Sequence, residues 1–217
     1  MGKRSSYERH EDDFYPTPRK PVLPLIPHLR GVRRFAEPCA GDGALVEHLE
    51  AFGLRCVYRG DIRTGQDALA RDNYGPADAI ITNPPYARKL MHRLIVHFQT
   101  IAPTWLLLES AWPNTWQAEP FMPSCSDIVA IGRVKWIPDT KSNGTEDFAW
   151  CRFDARHNAG PVFHWLTDGL PGRRRRCAWE GCGKSYVPQR TSSRYCSDGC
   201  RIRAFRQRLR VAVSVTE

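Results

Sequence analysis

The sequence predicts an α/β fold: an open, mostly parallel sheet with helices on both faces, followed by a small cysteine-rich module. Three observations carry this. Strand-like apolar runs alternate with helix-like segments from Val32 to Phe153. Turns rich in glycine and proline fall at strand ends, where open α/β sheets bind ligands. Four of the eight cysteines crowd between Cys177 and Cys200. With 217 residues there is room for one ordinary domain plus an appendage. The expected division is residues 1–170 and 173–217, joined through Leu170-Pro171-Gly172.

The first thirty residues carry Pro16, Pro18, Pro21, Pro24 and Pro27, which forbid long regular structure. Val32 to Glu37 reads as a first strand, ended by the turn Pro38 to Gly43. Ala44 to Phe52 has helical spacing of apolar residues and Gly53 stops it. Leu54 to Tyr58 resumes as a strand ending near Asp61. Ala77 to Thr82 is a buried-strand pattern broken by Asn83-Pro84-Pro85-Tyr86. A helix over 87–101 follows, then the apolar run Trp105 to Leu108, with later strands expected at Ile128–Ile137 and Phe148–Phe153. His48, His92 and His97 fall on the expected helices and read as structural or surface histidines.

Composition excludes several classes. At 41% hydrophobic and 25% charged residues the chain can bury a core. No apolar run approaches the roughly 18 residues that span a bilayer. The opening residues lead into Glu8, Glu11, Asp12 and Asp13 with no apolar stretch, unlike a secretory signal. A non-secreted, cytoplasmic protein with no membrane partner is expected. Residues 173–217 hold 12 of the 32 Lys and Arg but 3 of the 23 Asp and Glu, so they carry the whole net charge of +9. A neutral body with a concentrated basic tail is the electrostatic footprint of a polyanion binder. Cys39, Cys56, Cys125 and Cys151, scattered through the body, read as small buried apolar residues.

Glu37-Pro38-Cys39-Ala40-Gly41-Asp42-Gly43 ends one strand and opens a helix, and its glycines let a ligand approach the backbone. Asp61 ends the next strand, where a carboxylate can accept from two ribose hydroxyls. The third glycine of a dinucleotide fingerprint is missing, and Glu37 and Asp42 would repel a pyrophosphate. A cationic nucleoside such as S-adenosylmethionine suits these carboxylates better than NAD. At the second turn, two prolines fix an extended chain. The Asn83 side-chain oxygen and the Pro84 carbonyl can then converge on a planar amino group, with the Tyr86 ring to stack on it.

These residues resemble the S-adenosylmethionine-dependent DNA adenine-N6 methyltransferases, especially the short phage and prophage versions, over about residues 14–155. Phe14-Tyr15-Pro16-Thr17-Pro18 is similar to the family's cofactor-contacting segment. Glu37, Pro38, Ala40, Gly41 and Gly43 are similar to the methionine-binding turn, Asp61 to the ribose ligand, and Asp67 to the carboxylate that binds the cofactor's adenine amine. Asn83-Pro84-Pro85-Tyr86 resembles the catalytic tetrapeptide, and Thr145 to Trp150 a late strand segment without an assigned role. The resemblance implies a Rossmann-like methyltransferase sheet and methyl transfer from S-adenosylmethionine to the N6 amine of a flipped adenine in DNA. Ala68 stands where many relatives have an aromatic residue, and no insertion is large enough for a conventional target-recognition domain.

Cys177-x4-Cys182-x13-Cys196-x3-Cys200 forms two close pairs, the spacing of one structural Zn2+ held by four thiolates. So short a segment lacks the apolar area to fold unaided, and the metal would supply the missing free energy. Tyr186 and Tyr195 sit beside the pairs. Arg201 to Arg210 favours a helix with five arginines and an apolar stripe at Ile202, Phe205 and Leu209. This part resembles small zinc fingers that end in a Tyr-Cys-Ser…Cys-Arg segment and a basic helix. Contact with the backbone of double-stranded DNA is expected, with single-stranded DNA or RNA as alternatives. The tetrapeptide alone leaves open RNA or a protein glutamine amide as substrate, and a non-catalytic nucleic-acid binder is the rival of another class. Oligomeric state is not legible.

Overall fold

The computed structural model describes residues 15–137, 144–165, 175–186 and 193–214, with the last side chains at Gln207. Phe14, the Leu170-Pro171-Gly172 joint, Arg173 and Arg174 lie outside the described residues, as do the side chains of Arg208, Leu209 and Arg210. The chain divides into two compact units, Met1–Leu166 and Thr167–Glu217.

The first unit is a seven-stranded sheet built from β1 (Arg34–Glu37), β2 (Arg55–Arg59), β3 (Ala79–Thr82), β4 (Thr104–Glu109), β5 (Cys125–Arg133), β6 (Asp147–Phe153) and β7 (Val162–His164). Its order is β2-β1-β3-β4-β6-β5-β7, and β6 alone runs against the others. This is the mostly parallel, Rossmann-like sheet that the sequence predicts. The chain leaves β1 to one side for β2 and returns on the other for β3, so a topological switch point lies between β1 and β3.

Side chains alternate along each strand, and two cores form. Ala36, Ile80, Leu106 and Leu108 join Met91, Leu94, Ile95 and Phe98 of helix α3 (Arg88–Ile101) on one face. Phe35, Ile81, Trp105 and Leu107 join Leu45, Val46 and Leu49 of α2 (Ala44–Glu50) on the other. Both helices bury the i, i+3, i+4 pattern that predicts them. Among the described residues, the proline-rich start holds only the four-residue helix α1 (Arg19–Val22) and a 3-10 turn at Ile26–His28. It packs Val22, Leu25 and Leu29 into the second core.

Three expectations change. The strand expected over 128–137 instead covers Cys125–Arg133, because the ladder shifts near Ala130 and Gly132 takes a positive φ of 77°. The short edge strand β7 has no apolar run to announce it, with Val162 and Phe163 exposed; His164 Nε2 meets Asp127 Oδ1 on β5 at 2.9 Å. Of the scattered cysteines, Cys125 and Cys151 are buried, but Cys39 and Cys56 are only partly so.

Among the described residues no helix is long and apolar enough to cross a membrane. In the second unit, a two-stranded hairpin of β8 (Arg175–Arg176) and β9 (Ser185–Tyr186) precedes α4 (Asp198–Ser214).

Trp150 ties the ends of the first unit together. Its fully buried indole N–H donates to the Pro21 carbonyl at 2.8 Å, across 129 residues of sequence. Trp150→Phe keeps most of the ring but leaves that carbonyl without its buried donor. We expect a loss of about 1–3 kcal/mol in urea unfolding, and an unchanged midpoint would show that the indole bond does not anchor this segment.

Candidate functional site

A cavity of about 690 Å³ opens at the carboxyl ends of β1 and β3. Tyr15, Pro16, Thr17, Glu37, Pro38, Ala40, Gly41, Asp61, Asp67, Asn83, Pro84, Pro85 and Tyr86 all line it. Two turns far apart in sequence are thus brought together by the pairing of β1 with β3. Gly43 is the exception among the expected cofactor residues. Its φ is +94°, and a Cβ there would collide with the Arg59 guanidinium, which also donates to the Asp42 carbonyl. Gly43 therefore admits a side chain of the protein itself at the start of α2, and it does not line the cavity.

Glu37 ends β1 and is 1% exposed. Its Oε1 accepts from the Cys39 N–H at 3.0 Å. Oε2 and the nearby Thr82 hydroxyl are both buried without a hydrogen bond among the described residues. Burial pushes the Glu37 carboxyl up to about 8; the Thr82 side chain and the Cys39 N–H oppose this, and the charge of Asp61 adds to it. Burial thus keeps this carboxyl neutral near pH 7, and a ligand's cationic group beside it would favour the ionised form. Cys39, beside it, has its thiol pushed up by the same burial and by Glu37, so it is no thiolate nucleophile.

Asp61 organises the turn. Oδ2 accepts from the Gly41 N–H at 2.8 Å, and Oδ1 from the Arg63 N–H at 2.9 Å and Nε at 3.1 Å. Burial alone would raise its carboxyl, but these donors outweigh burial and hold it below its ordinary value. Asp67 caps a 3-10 turn by accepting from Leu69 N–H at 2.9 Å. Beneath that turn, the buried Tyr74 hydroxyl donates to the Ala68 carbonyl at 2.7 Å and its ring meets Tyr58 at 4.8 Å. Ala68 itself lines the cavity, whereas Tyr74 supports its turn from below and does not.

The Asn83 amide is held at both ends. Nδ2 donates to Thr17 Oγ1 at 3.2 Å, and Oδ1 accepts from the Tyr86 hydroxyl at 2.6 Å. An amide oxygen has two lone pairs, so one remains for a further donor. Ring contacts continue from Tyr86 to Phe148 (5.9 Å), from Phe148 to Trp136 (5.1 Å) and from Trp136 to Tyr15 (6.4 Å). Trp136 and Phe148 are site residues that the sequence reading misses. Phe148 stood in the Thr145 to Trp150 segment without a role, and Trp136 was assigned to a strand that stops at Arg133. Glu109 and Glu146 add further carboxylates to the cavity wall. His92 and His97 take structural roles, the first accepting from the Trp112 indole at 3.1 Å and the second meeting the Arg71 carbonyl at 2.8 Å.

In the second unit the sulfurs of Cys177, Cys182, Cys196 and Cys200 lie within 4.8 Å of one another. The Cys182–Cys196 and Cys196–Cys200 separations are both 3.5 Å, and Cys182–Cys200 is 3.6 Å. Four ligands at the usual Zn–S distance lie about 3.8 Å apart in a tetrahedron. The cluster fits zinc, which would cross-link the hairpin to the start of α4. The Cys177 N–H donates to the Lys184 carbonyl and the Cys200 N–H donates to Ser197 Oγ, so the backbone already presents the sulfurs to one point. Of the apolar stripe, Ile202 and Phe205 are exposed, while Cys200 and Ala204 of the same helix are buried.

No protein-family model matches the sequence, and no curated protein matches it. Solved structures resemble parts of the fold. A protein described as an RNA methyltransferase from Pyrococcus horikoshii shares 16% identity over 66% of this chain and 88% of its own, with a TM-score of 0.44. A chain from a type I restriction–modification system shares 14% identity over 73% of this chain and 46% of its own, with a TM-score of 0.41. A precorrin-6y C5,15-methyltransferase from Geobacter metallireducens shares 12% identity over 67% of this chain and 95% of its own, with a TM-score of 0.37. At TM-scores this low, such likenesses say nothing about substrate.

Two measurements check the site. With its carboxyl at about 8 when folded and 4.5 when free, Glu37 keeps a proton in the folded chain that the unfolded chain has lost between those values. Its contribution to stability is therefore complete below about pH 4.5 and is lost as pH rises to about 8, by up to about 1.4 kcal/mol per pH unit. Glu37→Gln should gain stability relative to the parent at pH 8 compared with pH 5 in urea unfolding. An equal difference at both pH values would mean Glu37 is ionised throughout. For the second unit, we expect one zinc per chain by elemental analysis, and chelation should remove helical circular dichroism from the α4 region. All eight thiols titrating under native conditions before any chelator is added would rule the metal out.

Proposed function

We propose that the chain transfers a methyl group from S-adenosylmethionine to the N6 amino group of adenine in DNA. The observation that carries this reading is the sharing of one cavity by the buried Glu37 carboxyl, which has one oxygen to spare, and the Asn83 amide fixed by Thr17. Glu37, Gly41, Asp61 and Asp67 would hold the cofactor, whose ammonium and sulfonium suit a wall carrying so many carboxylates. Bound there, S-adenosylmethionine supplies an electrophilic methyl group, and the methylated amine sheds its extra proton to water.

The remaining chemistry belongs to the chain's own residues. The Asn83 oxygen and the Pro84 carbonyl would accept from the two N–H groups of the target amine and orient its lone pair. Positive charge grows on that nitrogen during transfer, and these acceptors bind the charged form better than the ground state. Alignment accounts for much of the remaining rate, because Asn83 is pre-set by Thr17 and Tyr86. The Tyr15, Trp136, Phe148 and Tyr86 rings favour a flat heteroaromatic substrate over the narrow primary amide of a glutamine side chain. A base reaches such a cavity only by leaving its stack, which costs a few kcal/mol. No histidine borders the cavity among the described residues, in keeping with an amine that needs no strong general base.

Incubation with tritiated S-adenosylmethionine and, separately, duplex DNA, RNA and protein should label DNA at adenine N6. Label on RNA or on glutamine would replace the substrate without changing the reaction. Asn83→Ala should abolish transfer while calorimetry shows cofactor affinity within a few-fold of the parent. Turnover close to the parent's in that variant would remove Asn83 from the mechanism.

A further inference from the structure

We infer that α4 makes an apolar contact in the groove of duplex DNA through Ile202 and Phe205, between arginines that meet the phosphates. This rests on the reading of the second unit as DNA-binding. At about 100° per residue, Cys200 and Ala204 share one side of the helix, and Ile202 and Phe205 point to the opposite side. Burial agrees: Cys200 and Ala204 are each 7% exposed, whereas Ile202 is 46% and Phe205 57% exposed. The stripe is therefore not the core of the four-cysteine knot.

Its surroundings name the occupant. Arg201 and Arg206 flank the stripe on the two sides of the helix, by the same angular count. Arg203 instead turns back, its guanidinium over the Trp179 ring at 5.1 Å. Arg201 bridges Asp198 at 3.2 Å, an exposed pair of small worth that a phosphate can replace. Arg175, Arg176, Lys184 and Arg194 are exposed on the same unit, against the acidic Glu180 and Asp198. A polyanion complements this charge. The major groove of B-DNA admits a single α-helix, offers phosphates on both walls, and presents thymine methyls and base edges to apolar side chains on its floor. Phe205 and Ile202 occupy the place on α4 where such a floor would be met.

Salt separates the two kinds of contact. Each phosphate neutralised adds about −0.9 to the slope of log affinity against log salt, whereas an apolar contact shifts the line without tilting it. The test is a salt titration of duplex binding by the full, zinc-loaded chain, with zinc content and helical circular dichroism verified for every variant. Phe205→Ala should lower affinity about tenfold at every salt concentration with the parent's slope. Phe205→Leu should recover most of that loss, and Arg206→Ala should flatten the slope by about one phosphate. If Phe205→Ala and Phe205→Leu both superimpose on the parent while Arg206→Ala flattens the slope, the apolar contact is wrong and the charge reading stands. If Arg206→Ala leaves the slope unchanged and the parent's own affinity does not fall with salt, the DNA-binding reading of this unit fails as well. A Phe205-dependent self-association in sedimentation without DNA, or Phe205-dependent binding to phosphatidylserine vesicles alone, would assign the stripe to another surface and overturn the inference.

Discussion

Everything at the cavity depends on the parallel pairing of β1 with β3. A sheet wound outward from β1 in both directions separates its connections at that pair, and the ends of the two strands are left without a crossing chain above them. Glu37 closes β1 and Asn83 follows β3, so the carboxylate-bearing turn and the proline turn face one space. The register Phe35 with Ala79 and Ala36 with Ile80 sets how far along the strands these turns lie. A register slip by one residue would reverse which side chains face each core and destroy both packing and site together.

The polar groups around the cavity divide into those that shape it and those left for chemistry. Asp61 spends its oxygens on Gly41 and Arg63, so its first duty is to hold the glycine turn against the end of β2. Arg59 fills the space behind Gly43. Glu37, in contrast, keeps one oxygen buried and unmatched, which is destabilising to the fold alone and informative for that reason. Thr17 reaches Asn83 from a segment 66 residues earlier in the chain, so the proline-rich start is a wall of the site as well as a packing element.

The second unit solves a different problem with the same economy. Its hairpin strands are two residues each, too short to stabilise themselves. The four sulfurs stand in for an apolar core, and among the described residues of this unit only Cys177, Cys200 and Ala204 are buried and apolar. With so little to cover, Ile202 and Phe205 are left exposed on the helix, beside Arg201 and Arg206.

Much was legible in the sequence. The i, i+3, i+4 pattern of Met91, Leu94, Ile95 and Phe98 and the apolar runs of β3 and β4 report burial locally, because side-chain period follows backbone geometry directly. The glycine turn, the proline turn and the cysteine spacing are likewise local, and the residues they single out line one cavity, Gly43 excepted, or one sulfur cluster. What the tertiary structure decided is everything that depends on distance through space. It set the neighbourhood of β1 and β3, the placement of Trp136 and Phe148 beside Tyr86, the support of Ala68 by Tyr74, and the elevated carboxyl of Glu37. It also turned Ile202 and Phe205 outward, since a helix pattern names an apolar face but not what that face meets. Periodicity is a property of one segment, whereas strand pairing, desolvation and ring contact each require a second segment whose position the first does not encode.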